Sequence, residues 1–161
     1  TGWWRRNVPH SDAYQGLGGG SHIWPLYQHH GHLFPFPERV IDSILAMQTP
    51  SGRWQSLPET SPPTYLEKDA TYGLIYRGAL ESNYRKDDVR EACLRYAGFL
   101  SRNFDAHCAA FPTVHLHLVR PTASVYAMLQ RLLPDRFFDD AVWTDVFTSC
   151  RIYRTDLVCA T

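Results

Sequence analysis

Two carboxylates stand two positions apart in the run Glu67-Lys68-Asp69-Ala70-Thr71, close to where the hydrophobic pattern places a helix start. Two chemistries fit such a pair. A carboxylate in the first turn of a helix caps exposed backbone N–H groups and meets the positive end of the helix dipole. A carboxyl held away from water instead keeps its proton and can act as a general acid. In the second reading Asp69 is the acid and Glu67 sets its proton affinity. Imidazoles, which titrate near neutrality, supply the complementary bases or substrate contacts: His22, His115 and His117. If residues 115–117 are extended, the rings of His115 and His117 point to one face, whereas on a helix they diverge. His29, His30 and His32 complete a second histidine group, but no H-E-x-x-H spacing exists and Cys93, Cys108, Cys150 and Cys159 form no C-x-x-C pair. The chain is therefore expected to carry neither a metal nor a cofactor. Trp24, Tyr27, Tyr72, Tyr76 and Tyr126 accompany these positions. They either line an apolar or sugar-stacking cavity or fill the space between inner helices.

The elements that must position these residues read as helices. Pro37 and Glu38 open a stretch in which Val40, Ile41, Ile44 and Leu45 recur at three- and four-residue spacing, and residues 49–52 stop it. Residues 86–100 repeat that pattern through Val89, Ala92, Cys93, Tyr96, Ala97, Phe99 and Leu100, with Asp87 and Asp88 in the first turn. Cys93 then reads as a small core residue. Residues 66–80 and 121–133 carry apolar side chains on more than one face, as helices surrounded by other helices do. Residues 114–119 alternate apolar and polar and fit either a short strand or a helix. The glycine-rich residues 16–21 read as a loop entering a first inner segment at Ser21-His22-Ile23-Trp24, and they lack the Lys-Ser/Thr ending of a phosphate-binding loop. Residues 58–64, with Pro58, Pro62 and Pro63, read as a rigid connection.

His22, Asp69 and His115 each open an inner-type segment, and they recur at about 47 residues, a spacing that holds two helices. The outer-type helices near Glu38 and Lys86 keep nearly the same interval. One helical hairpin cannot bury both its faces, so hairpins with such a period stack. The expected fold is all-α, one domain of stacked helical hairpins forming an α/α toroid or an arc of one.

The segment Arg39-Val40-Ile41-Asp42-Ser43-Ile44-Leu45-Ala46-Met47-Gln48-Thr49-Pro50-Ser51-Gly52-Arg53-Trp54 resembles the QW motif of squalene-hopene and oxidosqualene cyclases. Arg39, Ile44, Gln48, Gly52 and Trp54 match it, while Val40 stands for its small residue and Ser43 for its aromatic. A glutamine amide near a helix end satisfies orphan backbone groups of an adjacent helix, glycine permits the tight exit, and tryptophan covers the amide. Gln48 and Trp54 are thus expected against the beginning of the helix that follows the Pro-rich connection. The run Glu67-Lys68-Asp69-Ala70-Thr71 is similar to the D-x-D-D-T acid motif of class II terpenoid cyclases, with Asp69 and Thr71 matching and Ala70 in place of the last carboxylate. The resemblance implies that Asp69 protonates an alkene or epoxide of an isoprenoid substrate. Toroids of this kind close with five to seven hairpins where three are visible here, so the chain reads as an arc or a piece.

Composition bounds the remaining choices. The chain has 161 residues, 44% apolar, and its 16 Lys plus Arg balance its 16 Asp plus Glu. No net positive field exists to hold nucleic acid, and no apolar run approaches the roughly 20 residues that span a bilayer. No signal peptide is visible, and the unpaired cysteine spacing favours a reducing cytoplasm. The leading function is an acid–base enzyme of terpenoid-cyclase type. Two others stand beside it: a carbohydrate hydrolase or lyase, because the candidate rim is rich in His, Tyr and Glu, and a non-catalytic helical-repeat scaffold.

Overall fold

A computed structural model describes residue 2, residues 13–75, residues 83–103 and residue 129. The described elements are four α-helices, α1 (Ala13–His29), α2 (Pro37–Ala46), α3 (Tyr65–Leu74) and α4 (Lys86–Arg102), with no strand among the described residues. Pro37 at the start of α2 lends its fixed φ to the first turn, and Val40, Ile41 and Ile44 point inward from it. Thr64 is extended, and its N–H donates to Glu67 Oε2 at 2.6 Å, so that α3 begins with a capping carboxylate at the third helical position. In α4, Asp87 and Asp88 occupy the first turn and Arg102 the last, matching the helix dipole at both ends. Its buried stripe runs from Val89 to Leu100 and includes Cys93, whose thiol burial pushes up to about 12. Residues 76–80, 114–119 and most of 121–133 lie outside the described residues, as do Cys108, Cys150 and Cys159; Leu129 is helical and buried in the same core.

The glycine-rich residues 16–21 belong to helix α1, not to a loop. Each interior glycine costs a helix roughly 0.5–1 kcal/mol relative to alanine, so packing, not propensity, holds α1. Gly16, Leu17, Gly20, Ser21 and Trp24 are buried along one face. Ser21 Oγ donates to the Gly18 carbonyl at 2.9 Å, and a Cβ on Gly18 would meet Leu66 of α3 at an ordinary 3.9 Å. His22, placed at the opening of an inner segment by its sequence, sits instead mid-helix on the exposed side.

Helix α1 packs on α3, and α2 packs on both α3 and α4. Contacts advance together along α1 and α3, from Gly18 beside Leu66 to Trp24 beside Gly73, so the two helices run parallel. The same holds for α2 and α4. Asp42 is reached by Tyr84 and Arg85 at the head of α4, and Gln48 by Ala92 and Arg95 further along. Helix α1 is thus paired with α3 and α2 with α4, with α2 also touching α3.

The residues of the Gln-Gly-Trp segment join this layer, but at a different place from the one expected. Gln48 Nε2 donates to the carbonyls of Gly52 and of Ala92 in α4, both at 2.8 Å, and its Oε1 accepts from Arg95. Trp54 Nε1 donates to the Ile44 carbonyl at 3.0 Å, and its ring meets Tyr96 of α4 edge to face at 5.0 Å. The amide and indole thus fasten α2 to α4 and not to the head of α3, because the exit turn at Gly52 runs directly against the α4 backbone. A Cβ on Gly52, whose φ is +95°, would stand 2.7 Å from the Arg95 carbonyl oxygen.

Trp54→Ala is expected to cost roughly 3–5 kcal/mol and lower the melting temperature accordingly, since the ring is wholly buried. Gly52→Ala adds only a methyl group, yet the positive φ and the Arg95 carbonyl should make it cost more than about 1 kcal/mol. Chemical denaturation measures both, and a Gly52→Ala protein as stable as the parent would show that the turn does not press on α4.

Candidate functional site

The two carboxylates of the 67–71 run go to different surroundings. Two residues along an α-helix turn the side-chain direction by about 200°. Glu67 therefore faces the turn formed by residues 53–62, while Asp69 faces α1. Glu67 is fully buried and its Oε1 accepts from Arg53 Nε at 2.5 Å, while Oε2 accepts the Thr64 N–H. Thr71 Oγ1 donates to the Glu67 backbone carbonyl at 2.7 Å, one turn back.

Asp69 is 5% exposed and lies in the seam between α1 and α3. Burial pushes its carboxyl above the ordinary aspartate range, while Lys68, the Ser21 hydroxyl and His22 pull in the opposite direction. Lys68 Nζ stands 3.4 Å from Oδ1, partly in solvent, with its ammonium also 5.8 Å from the Tyr65 ring. Glu67, on the other face of α3, pairs with Arg53. The arrangement presents a carboxyl disposed to hold a proton, in a seam whose outer edge carries His22 and Lys68.

Further along the same seam the aromatic residues gather. Trp24 is fully buried, stacks on Tyr72 at 5.9 Å and meets Phe34 edge to face at 5.6 Å, and Phe34 in turn contacts Tyr27. Gly73 makes room for this packing, since a Cβ there would lie 2.9 Å from the Trp24 ring. Tyr72 Oη donates to Gln28 Oε1 at 2.6 Å at the exposed margin. His115, His117, Tyr76 and Tyr126 lie outside the described residues. His29 and His30 meet edge to face on the surface, and among the described residues no three His, Cys, Asp or Glu side chains converge as a metal site would require.

Three contributors escaped the sequence reading. Arg53, Ser21 and Lys68 surround the two carboxylates, and Arg53 in particular is fully buried. A signal for the Glu67 half was present: Thr64-x-x-Glu67 has the spacing of a capping box. Arg53 sits between Gly52 and Trp54, where a cation confined by a buried turn demands a carboxylate partner. A separate groove of about 280 Å³ between α2 and α4 is lined by Asp42, Asp88 and Glu91 against Arg85 and Arg95. Its charges are engaged with one another, Arg85 reaching both Asp42 and Asp88 at 2.7 Å. Compared with family models, with curated proteins and with solved structures, the chain matches none.

Asp69 also leaves a mark on stability. Its folded carboxyl holds a proton more tightly than the unfolded one, so the folded state loses relative stability as pH rises from the ordinary aspartate range through the raised folded value. Asn cannot titrate. The melting temperature of Asp69→Asn should therefore gain on that of the parent as pH rises from the ordinary aspartate range through the raised folded-state value. A difference that stays constant over this range would show that Asp69 titrates alike in both states.

Proposed function

We propose that the chain is an acid–base enzyme of α/α-toroid type, in which Asp69 donates a proton to an unsaturated isoprenoid. The observation that carries this reading is the placement of the Asp69 carboxyl, buried between two parallel helices where desolvation raises its pKa above the ordinary aspartate value. A carboxyl in a water-poor seam, where burial lets it keep its proton to higher pH, is suited to alkene or epoxide protonation, and Trp24, Tyr72, Phe34 and Tyr27 pack on one another beside it. The pairing of α1 with α3 and of α2 with α4 supports an arc of a toroid, since a curved double layer of helices arises from hairpins laid side by side in this way. Ala70, at the position where the related motif has a further carboxylate, packs in the core, which leaves proton donation to Asp69 alone. His22, His115 and His117 remain the candidate bases or substrate contacts.

A second reading, a glycan hydrolase or lyase, draws on the polar outer margin of the same seam. His22, Lys68 and the Tyr72–Gln28 pair present hydrogen-bonding groups suited to hydroxyls. In either case the substrate is a small molecule. Among the described residues no helix is long and apolar enough to cross a membrane, and Cys93 is a free thiol, in keeping with a reducing compartment such as the cytoplasm.

A general acid typically contributes 10²–10⁴-fold, so Asp69→Asn should reduce turnover by about that factor with the fold retained. Assays of parent and variant against panels of isoprenoids and oligosaccharides decide between the two substrate classes. Full activity of Asp69→Asn on either panel would exclude Asp69 as the acid, and a folded parent inactive on both would favour a binding scaffold.

A further inference from the structure

Arg53 has no counterpart in the chemistry argued above, yet it is the most heavily engaged side chain of the described residues. Its Nε donates to Glu67 Oε1, one terminal nitrogen donates to the carbonyls of Pro58 at 2.9 Å and Ser61 at 3.0 Å, and the other donates to the Pro62 carbonyl at 3.3 Å. Phe99 of α4 lies beneath the guanidinium, 4.9 Å from ring centroid to Cζ. These partners come from the loop after α2, the first turn of α3 and the buried stripe of α4. The Thr64 hydroxyl ties the same turn to Gln55 at 3.0 Å, and the Lys68 N–H returns to the Thr64 carbonyl. The first turn of α3 thus has its position dictated from the Arg53 side, and Asp69 follows one half-turn after Glu67 on the opposite face of the same helix.

We propose that Arg53 is a positioning residue for Asp69: by gathering the carbonyls of residues 58–62 and the Glu67 carboxylate, it fixes the head of α3 so that the Asp69 carboxyl stays in the α1–α3 seam. The proposal deepens the reading of Asp69 as proton donor but concerns where that carboxyl sits, which can be read without any substrate. Lysine at position 53 would keep the positive charge and lose the planar fork, so it can serve Glu67 or the carbonyls but not all of them at once. The head of α3 would then be free to shift, and water would reach Asp69 past Ser21, His22 and Lys68, the groups that face it from α1 and α3.

The test is a titration of the Asp69 side-chain carboxyl by NMR in the full chain labelled with carboxyl-¹³C aspartate, using Asp69→Asn to assign the signal. Arg53→Lys is expected to move the Asp69 midpoint downward, toward the ordinary aspartate range. Val89→Ala, which thins the core at α4 away from this contact, is expected to lower the melting temperature and leave that midpoint in place. A folded Arg53→Lys protein with the parent's Asp69 midpoint would overturn the proposal, as would a Val89→Ala protein that shifts it equally. Should Arg53→Lys fail to fold, hydrogen exchange in the parent decides: Arg53 Nε–H and the Lys68 amide must open together, and faster exchange at Arg53 alone would sink the idea. Loss of activity in Asp69→Asn is judged separately, so the positioning role can fail while the acid stands, and the acid can fail while the positioning role stands.

Discussion

A guanidinium without access to water has to find its partners inside the protein, and Arg53 finds them in Glu67 and three backbone carbonyls. Taking both charges out of solvent is expensive, so the pair adds little net stability over an apolar substitute, whereas breaking it by removing one partner costs about 3–5 kcal/mol. The consequence is geometric more than energetic. The carbonyls of residues 58–62 are presented by a proline-containing turn that offers few alternative backbone shapes, and a single flat cation satisfies them together. The loop, the head of α3 and the Phe99 face of α4 are thereby referred to one point.

The second joint lies one residue away in sequence, and it works on the other layer. Trp54 closes the end of α2 through the Ile44 carbonyl and reaches Tyr96, while Gln48 spans from Gly52 to Ala92. Arg53 and Trp54, side by side in the chain, therefore direct α3 and α4 respectively. A short exit turn thus touches both of the helices that follow it, α3 through Glu67 and α4 through Tyr96 and Phe99. Helix α1 carries Gly16, Gly18, Gly19, Gly20 and Pro25, so its packing on α3 through buried residues such as Leu17 and Trp24 outweighs poor intrinsic propensity.

The helices with one clean apolar stripe were legible in the sequence, α2 from Pro37 and α4 from Lys86, because periodicity and end signals agree there. Helix α1 was not, since local propensity at its glycines points to a loop and only the tertiary neighbour reverses it. The partner of Gln48 and Trp54 was not legible, because a motif specifies which groups need partners and not which helix supplies them. Of the candidate site, Asp69 and Glu67 could be singled out by type and spacing. Their separation onto opposite faces follows from helix geometry alone, whereas the burial of Arg53 could not be read from a charged residue in a turn.

That separation gives two identical functional groups different tasks on one short helix. Glu67 and Asp69 share a backbone turn and differ by one methylene, so intrinsic acidity does not distinguish them. Their surroundings do. Glu67 meets a guanidinium and a backbone N–H, which tie it to the fold. Asp69 meets a hydroxyl and a half-exposed ammonium in a seam that favours the neutral acid. Had the two residues been three or four apart they would have been neighbours on one face of the helix, where like charges repel. The two-residue spacing lets Glu67 pair with Arg53 while Asp69 lies on the opposite face, in a seam whose burial raises its pKa.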